Sequence, residues 1–207
     1  MSLLSSPRDC PLNAPVDVLF RHGRLYIAMS GLHQVWFLSP VEGVLGILAG
    51  CSEPVSRDGA AHHAGFLQPV ALAWCDGRCW CVDASGSAIR CIDPATGNVA
   101  TLQIAGGRND SGPTQLQYPF DIKSDERRKL LWIVDSWNNT ILAVDIQTRA
   151  VLRAVSGRRL NEPGGLAFDG DTLYIANTNA HEVLRLNTSN GRTEALNVTE
   201  ENNAIRS

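Results

Sequence analysis

Short apolar runs recur along the chain at Leu25–Met29, Cys79–Asp83, Leu131–Asp135 and Leu173–Asn177. Runs this short, bounded by turn residues, read as strands buried on both faces, because a helix would need a longer stretch of 3.6-residue periodicity. The pairs His22-Gly23, Asp76-Gly77 and Asp169-Gly170 stand before three of the runs, where hairpin turns with positive φ are expected. In the remaining copy the polar run Ser124-Asp125-Glu126-Arg127-Arg128-Lys129 lengthens the same hairpin. Val41-Glu42-Gly43, Gly97-Asn98 and Asn190-Gly191 mark a later turn in their copies. Each unit therefore predicts four antiparallel strands, which in the second are Val70–Trp74, Cys79–Asp83, Ala88–Ile92 and Val99–Ile104.

The units hold one register. A proline preceded three positions earlier by an apolar residue opens each of them, at Pro15, Pro69, Pro119 and Pro163, where a strand's first residue tolerates the missing N–H. An aromatic follows at Tyr26, Trp80, Trp132 and Tyr174, and seven residues later stand His33, Ser87, Asn139 and His181. Aromatic spacings between 42 and 54 residues fall in the range of propeller blades of four strands. The predicted fold is an all-β propeller with blades at about 12–50, 66–105, 116–156 and 160–199, a flexible leader over 1–11 and a tail over 201–207. A single such sheet cannot bury both its faces, so neighbours must stack. The ring is either a closed four-bladed one or part of a six-bladed one, and in the open case the outer faces of the first and fourth blades are expected to be apolar and exposed.

The sequence has 207 residues, 44% hydrophobic and 19% charged, enough for a well-buried domain, and its net charge of −3 comes without basic clusters, which argues against nucleic acid. No apolar stretch approaches the roughly 20 residues of a membrane span, and none resembles a secretory signal, so a cytoplasmic location and reduced cysteines are expected. For the same reason the sequons at Asn138, Asn187 and Asn197 carry no weight.

The strings Leu25-Tyr26-Ile27-Ala28, Val82-Asp83-Ala84-Ser85, Asp135-Ser136-Trp137-Asn138-Asn139 and Ala176-Asn177-Thr178-Asn179-Ala180-His181 resemble the NHL-repeat signature. With Ala64-Gly65-Phe66-Leu67-Gln68-Pro69 and Leu160-Asn161-Glu162-Pro163 they are similar to the later blades of the family that joins a thioredoxin-like domain to a six-bladed NHL propeller. This chain contains no counterpart of that domain and no Cys-x-x-Cys pair, so the resemblance implies no redox activity here.

Among polar positions, Asp83, Asp135 and Asn177 end the second strands and are read as turn-structural groups, bonding backbone N–H groups two residues on. His33 and His181 share a position with Ser87 and Asn139 and are read as turn supports rather than metal ligands. Cys79 and Cys81 replace core residues of the other copies and read as small buried hydrophobes rather than zinc ligands. Cys81 and Cys91 are candidates for a cross-strand pair, and Cys75, in a turn, is the expected reactive thiol. Trp137 sits in a predicted exposed turn, as a partner anchor or as packing against a neighbouring blade.

The functional expectation is a non-catalytic interaction module that binds a protein or peptide through rim loops, with His33, Trp137, Asn139, His181, Arg57 and Asp58 as the contact residues. It carries no catalytic residues, metal or cofactor, and a homo-oligomer that completes the ring is one arrangement it allows. The alternative is a metal-dependent hydrolase or lyase with a central-channel site, for which the innermost strands offer only Asp17, Asp121 and Lys123.

Overall fold

The computed structural model describes residues 11–106, 114–157 and 159–196. The predicted leader except Pro11, the tail, Cys10, Arg158, most of the loop after the second unit and the sequon at Asn197 lie outside the described residues.

Among the described residues sixteen strands form four separate antiparallel sheets, each a meander in which consecutive strands pair. The first blade contains β1 (Pro15–Arg21), β2 (Arg24–Met29), β3 (Gln34–Ser39) and β4 (Val44–Ala49), and the second β5 (Pro69–Cys75), β6 (Arg78–Asp83), β7 (Ala88–Ile92) and β8 (Val99–Thr101). The third contains β9 (Pro119–Asp125), β10 (Leu130–Asp135), β11 (Thr140–Asp145) and β12 (Val151–Ser156), and the fourth β13 (Pro163–Asp169), β14 (Thr172–Asn177), β15 (Glu182–Asn187) and β16 (Thr193–Ala195). His22-Gly23 and Asp76-Gly77 adopt the positive φ their turns require. In the fourth blade the turn falls one residue later than predicted, on Gly170-Asp171, because Asp169 pairs with Thr172 as the last rung of the ladder. Strand β8 is shorter than predicted: its pairing with β7 ends at Arg90–Thr101, with Leu102 N–H donating to Ile89 O as the last bond, while Asp58 caps the outward-facing Thr101 N–H.

The innermost strands touch in the order β1, β5, β9, β13, and a buried apolar cluster fills each seam between blades. At the first seam Tyr26, Val35 and Phe66 meet Leu72, Trp74 and Ile92. At the second, Trp80 and Ile89 meet Ile122, Leu131 and Leu142, and at the third Trp132 and Ile141 meet Leu166, Leu173 and Leu184. Among the described residues no such cluster joins the fourth blade to the first, so the arrangement is the open one.

Of the two terminal faces, that of blade four differs from expectation. The free face of blade one is apolar, with Val18 61% and Phe20 63% exposed. On blade four, the free face carries Thr172, Tyr174 and an Arg185–Glu194 ion pair, and is polar over its outer half. Strand periodicity explains the difference, since Leu166, Leu173, Ile175, Leu184 and Leu186 all point into the third seam, leaving the alternate residues outside.

Candidate rim site

The turns after β2, β6, β10 and β14 lie on one rim, and at each the same position is left-handed: His33, Ser87, Asn139 and His181 have φ of 56°, 49°, 50° and 55°. Asn and His tolerate that region better than most side chains, which explains the residue types of the repeat. Three of these side chains also close a seam. His33 Nδ1 donates to Leu67 O at 2.8 Å, Ser87 Oγ accepts from Tyr118 N at 3.3 Å, and Asn139 Oδ1 accepts from Glu162 N at 2.7 Å. His181 is exposed, and among the described residues no blade follows for it to meet.

Asp83, Asp135 and Asn177 do not bond the backbone N–H groups two residues on as expected, although Asp135 also accepts within its turn from Asn138 Nδ2 at 2.8 Å. Each reaches back to the loop leading into its blade: Asp83 accepts from the Leu67 and Gln68 N–H groups, Asp135 from Gln117, and Asn177 from Asn161. Antiparallel pairing is the reason, because the end of each second strand lies beside the proline that starts the first, as in the Pro69–Asp83 pair. Burial raises the Asp135 carboxyl above its ordinary value, and the bonds from Asn138 and Gln117 oppose that rise.

Trp137 is 60% exposed and stacks on Tyr118, with centroids 4.7 Å apart and planes at 15°. Tyr118 in turn faces Phe120, itself 45% exposed, at 6.4 Å. The Tyr118 hydroxyl donates to Gln68 Oε1, which also accepts from Ser85 Oγ, so the middle ring is fixed in place. Trp137 is thus both a packed residue and an exposed one, its inner face on Tyr118 and the remainder open.

Arg57 and Asp58 belong to the long loop between blades one and two, where the Arg57 side chain is engaged within the loop and the Asp58 side chain with blade two. Arg57 donates to His63 O and reaches Cys51 Sγ, while Asp58 accepts from Thr101 and from Arg90. Burial raises the Asp58 carboxyl, but the Thr101 bonds and the Arg90 charge outweigh it and hold the group below its usual range. Arg90 itself was missed from sequence. It is fully buried in β7, donating to Ser56, Gly65 O, Asp83 and Asp58, with its guanidinium over the Phe66 ring at 5.1 Å. The signal was a charged residue in register with Trp36, Leu142 and Leu184, opposite a small Cys81 that leaves it room.

In the central channel, Asp17 and Asp121 serve as staples between blades. Asp17 Oδ2 accepts from Leu72 N, Asp121 Oδ2 accepts from Leu166 N, both at 2.7 Å, and Lys123 pairs with Asp121. Burial raises the Asp17 carboxyl above its ordinary value, against the opposing bond from Leu72. Among the described residues no three His, Cys, Asp or Glu side chains converge in a metal-holding group. The cysteines depart from expectation in two ways. Cys75 is fully buried, which pushes its thiol up to about 11. Cys81 pairs with Arg90 and Cys91 with Trp80, neighbouring register positions whose side chains leave opposite faces of the sheet, so the two thiols do not meet.

No protein-family model matches the chain. Its sequence is 27% identical to human NHL repeat-containing protein 2 over 94% of the chain, and 31% identical to the Gallus gallus protein over 84%. It spans about a third of the length of these curated relatives. The Arabidopsis thaliana Protein SUPPRESSOR OF QUENCHING 1, chloroplastic, is 28% identical over 81% of the chain and 19% of its own length. Among solved structures, virginiamycin B lyase from Staphylococcus aureus superposes with a TM-score of 0.64 at 16% identity, over 89% of this chain and 56% of that one. Kuenenia stuttgartiensis hydrazine synthase gives 0.63 at 15%, over 95% and 53%. At these identities the superpositions speak for the fold alone. Among the described residues no helix is long and apolar enough to cross a membrane. The chain is an all-β, propeller-type protein whose four blades resemble the NHL-repeat propeller of NHL repeat-containing protein 2.

Proposed function

We propose that the chain is a binding module that takes a protein or peptide segment on the rim where Trp137 stands. The observation that carries this reading is the Trp137–Tyr118–Phe120 stack, in which the outer rings are 60% and 45% exposed and the ring between them is held by the hydrogen bond from its hydroxyl to Gln68. Rigid aromatics with few rotatable bonds lose little entropy on contact, and such residues dominate interface hot spots. Asn138 and Gln68 supply polar groups beside the stack. His33, Asn139, Arg57 and Asp58 enter as scaffold in this reading, because their side chains already hold seams or the long loop.

The test is selection of a random peptide library on the immobilised chain, followed by calorimetric titration of the enriched peptides against wild type and Trp137→Ala. Loss of an anchor of this kind costs 2 kcal/mol or more, so affinity should fall roughly 30-fold. Enriched peptides that bind wild type and Trp137→Ala equally would place binding elsewhere and remove this assignment.

A further inference from the structure

The two free faces of the chain are the two halves of one seam, and we propose that they meet between copies, blade four of one molecule docking on blade one of the next. On blade one the free face is built from Val18, Phe20, Leu25, Ile27, Trp36 and Leu38, aligned across three strands, with Val18 and Phe20 exposed, Leu25, Trp36 and Leu38 half-buried and Ile27 buried beneath them. These positions repeat those with which blades two and four face their preceding neighbours: Leu72 and Leu166 stand where Val18 does, Cys81 and Ile175 where Ile27 does, Ile92 and Leu186 where Leu38 does. Those counterparts are buried in their seams, whereas Val18 and Phe20 are more than half exposed. Blade one therefore carries a surface of seam composition without its seam.

Blade four carries the other half. Gly165, Ala176 and Val183 repeat the row that Asp17, Ala28 and Val35 form on the covered face of blade one, and Tyr174 stands where Tyr26, Trp80 and Trp132 fill the three occupied seams. His181 has the left-handed backbone of the seam-closing position, and its ring is exposed. The backbone position that Tyr118 and Glu162 offer to that latch is filled on blade one by Ala14, which precedes its proline with the same left-handed backbone, φ 46° against 48° and 43°. The Arg185–Glu194 pair at the outer edge fits this arrangement, because Arg153 at the outer edge of the occupied third seam likewise keeps its charge, donating to Ser189 O.

Apolar blade-one faces could instead pair with each other about a two-fold axis, and complementation separates the two geometries. Light scattering across a concentration series should show a mass of twice the 22.4 kDa chain or a higher multiple. Phe20→Asp and Val183→Asp alter exposed positions, so both variants should keep the wild-type circular dichroism and melting temperature. Head-to-tail docking predicts that each variant alone loses the higher-mass species and that an equimolar mixture recovers a 1:1 heterodimer, joined through the intact blade-four face of one and the intact blade-one face of the other. A wild-type chain that stays monomeric at every concentration overturns the proposal. So does a dimer that Phe20→Asp abolishes and Val183→Asp leaves intact, the signature of the two-fold arrangement.

Discussion

Replacing Arg90 with alanine is expected to lower the unfolding free energy by roughly 3–5 kcal/mol, the cost of breaking a buried ion pair from one side. Asp83 would be left with its side chain wholly buried, keeping only the Leu67 and Gln68 N–H groups, and Phe66 would lose the cation on its ring. The loop would lose the guanidinium's bonds to Ser56, Asp58 and Gly65 together, keeping the Asp58 bonds to Thr101. Urea titration reads the first effect as a lower midpoint, and tryptic cleavage after the exposed Arg57 reads the second as faster cutting. Arg90→Leu restores the residue type of Leu142 and Leu184 and should recover part of the stability while leaving the loop as susceptible as in the alanine variant. An unchanged midpoint for Arg90→Ala would show that the network carries no net stability.

Trp132→Ala should cost about 3–5 kcal/mol as well, by opening a cavity in the third seam. Trp132 is 1% exposed and meets the Phe168 ring edge-on at 6.5 Å. Its indole Nε1 is buried without a hydrogen-bond partner, so Trp132→Phe removes an unsatisfied donor along with part of the ring volume and should cost much less than alanine. Tyr174 occupies the same repeat position in blade four, where among the described residues no further blade covers it, and Tyr174→Ala measured as a monomer should cost less than about 1.5 kcal/mol. Equal losses for Trp132→Ala and Tyr174→Ala would mean that the aromatic stabilises its own sheet rather than the seam.

The strands were legible because their positions recur. Ala88–Ile92 matches its predicted bounds, and the four second strands each begin one residue earlier than the apolar run suggested. Partners across the seams were not legible, since the repeat shows which residue types share a position but not which atoms they meet. Asp83 illustrates this: its type and place were clear, and its reach back to Leu67 follows only from knowing that Pro69 lies opposite it. Arg90 was hidden for the opposite reason, being the copy that departs from the repeat to serve a loop the other blades lack. The exposure of Trp137 could be read from its turn, but its stacking partner comes from the segment leading into β9, some twenty residues earlier in the chain.

Among the described residues every ladder joins consecutive strands, and one sheet is tied to the next by the seams, by side-chain bonds and, between blades two and three, by the Ala105–Ala150 bridge. A stack of this kind opens by degrees, because each sheet's protection depends on how many of its faces a neighbour covers. Blades two and three are covered on both sides, blades one and four on one. Amide hydrogen exchange on the monomer should therefore be slowest in β6, β7, β10 and β11, where release requires global unfolding, and should reach β14 and β15 through partial detachment of the last blade. Slowing of that terminal exchange as protein concentration rises would report blade four finding a second molecule.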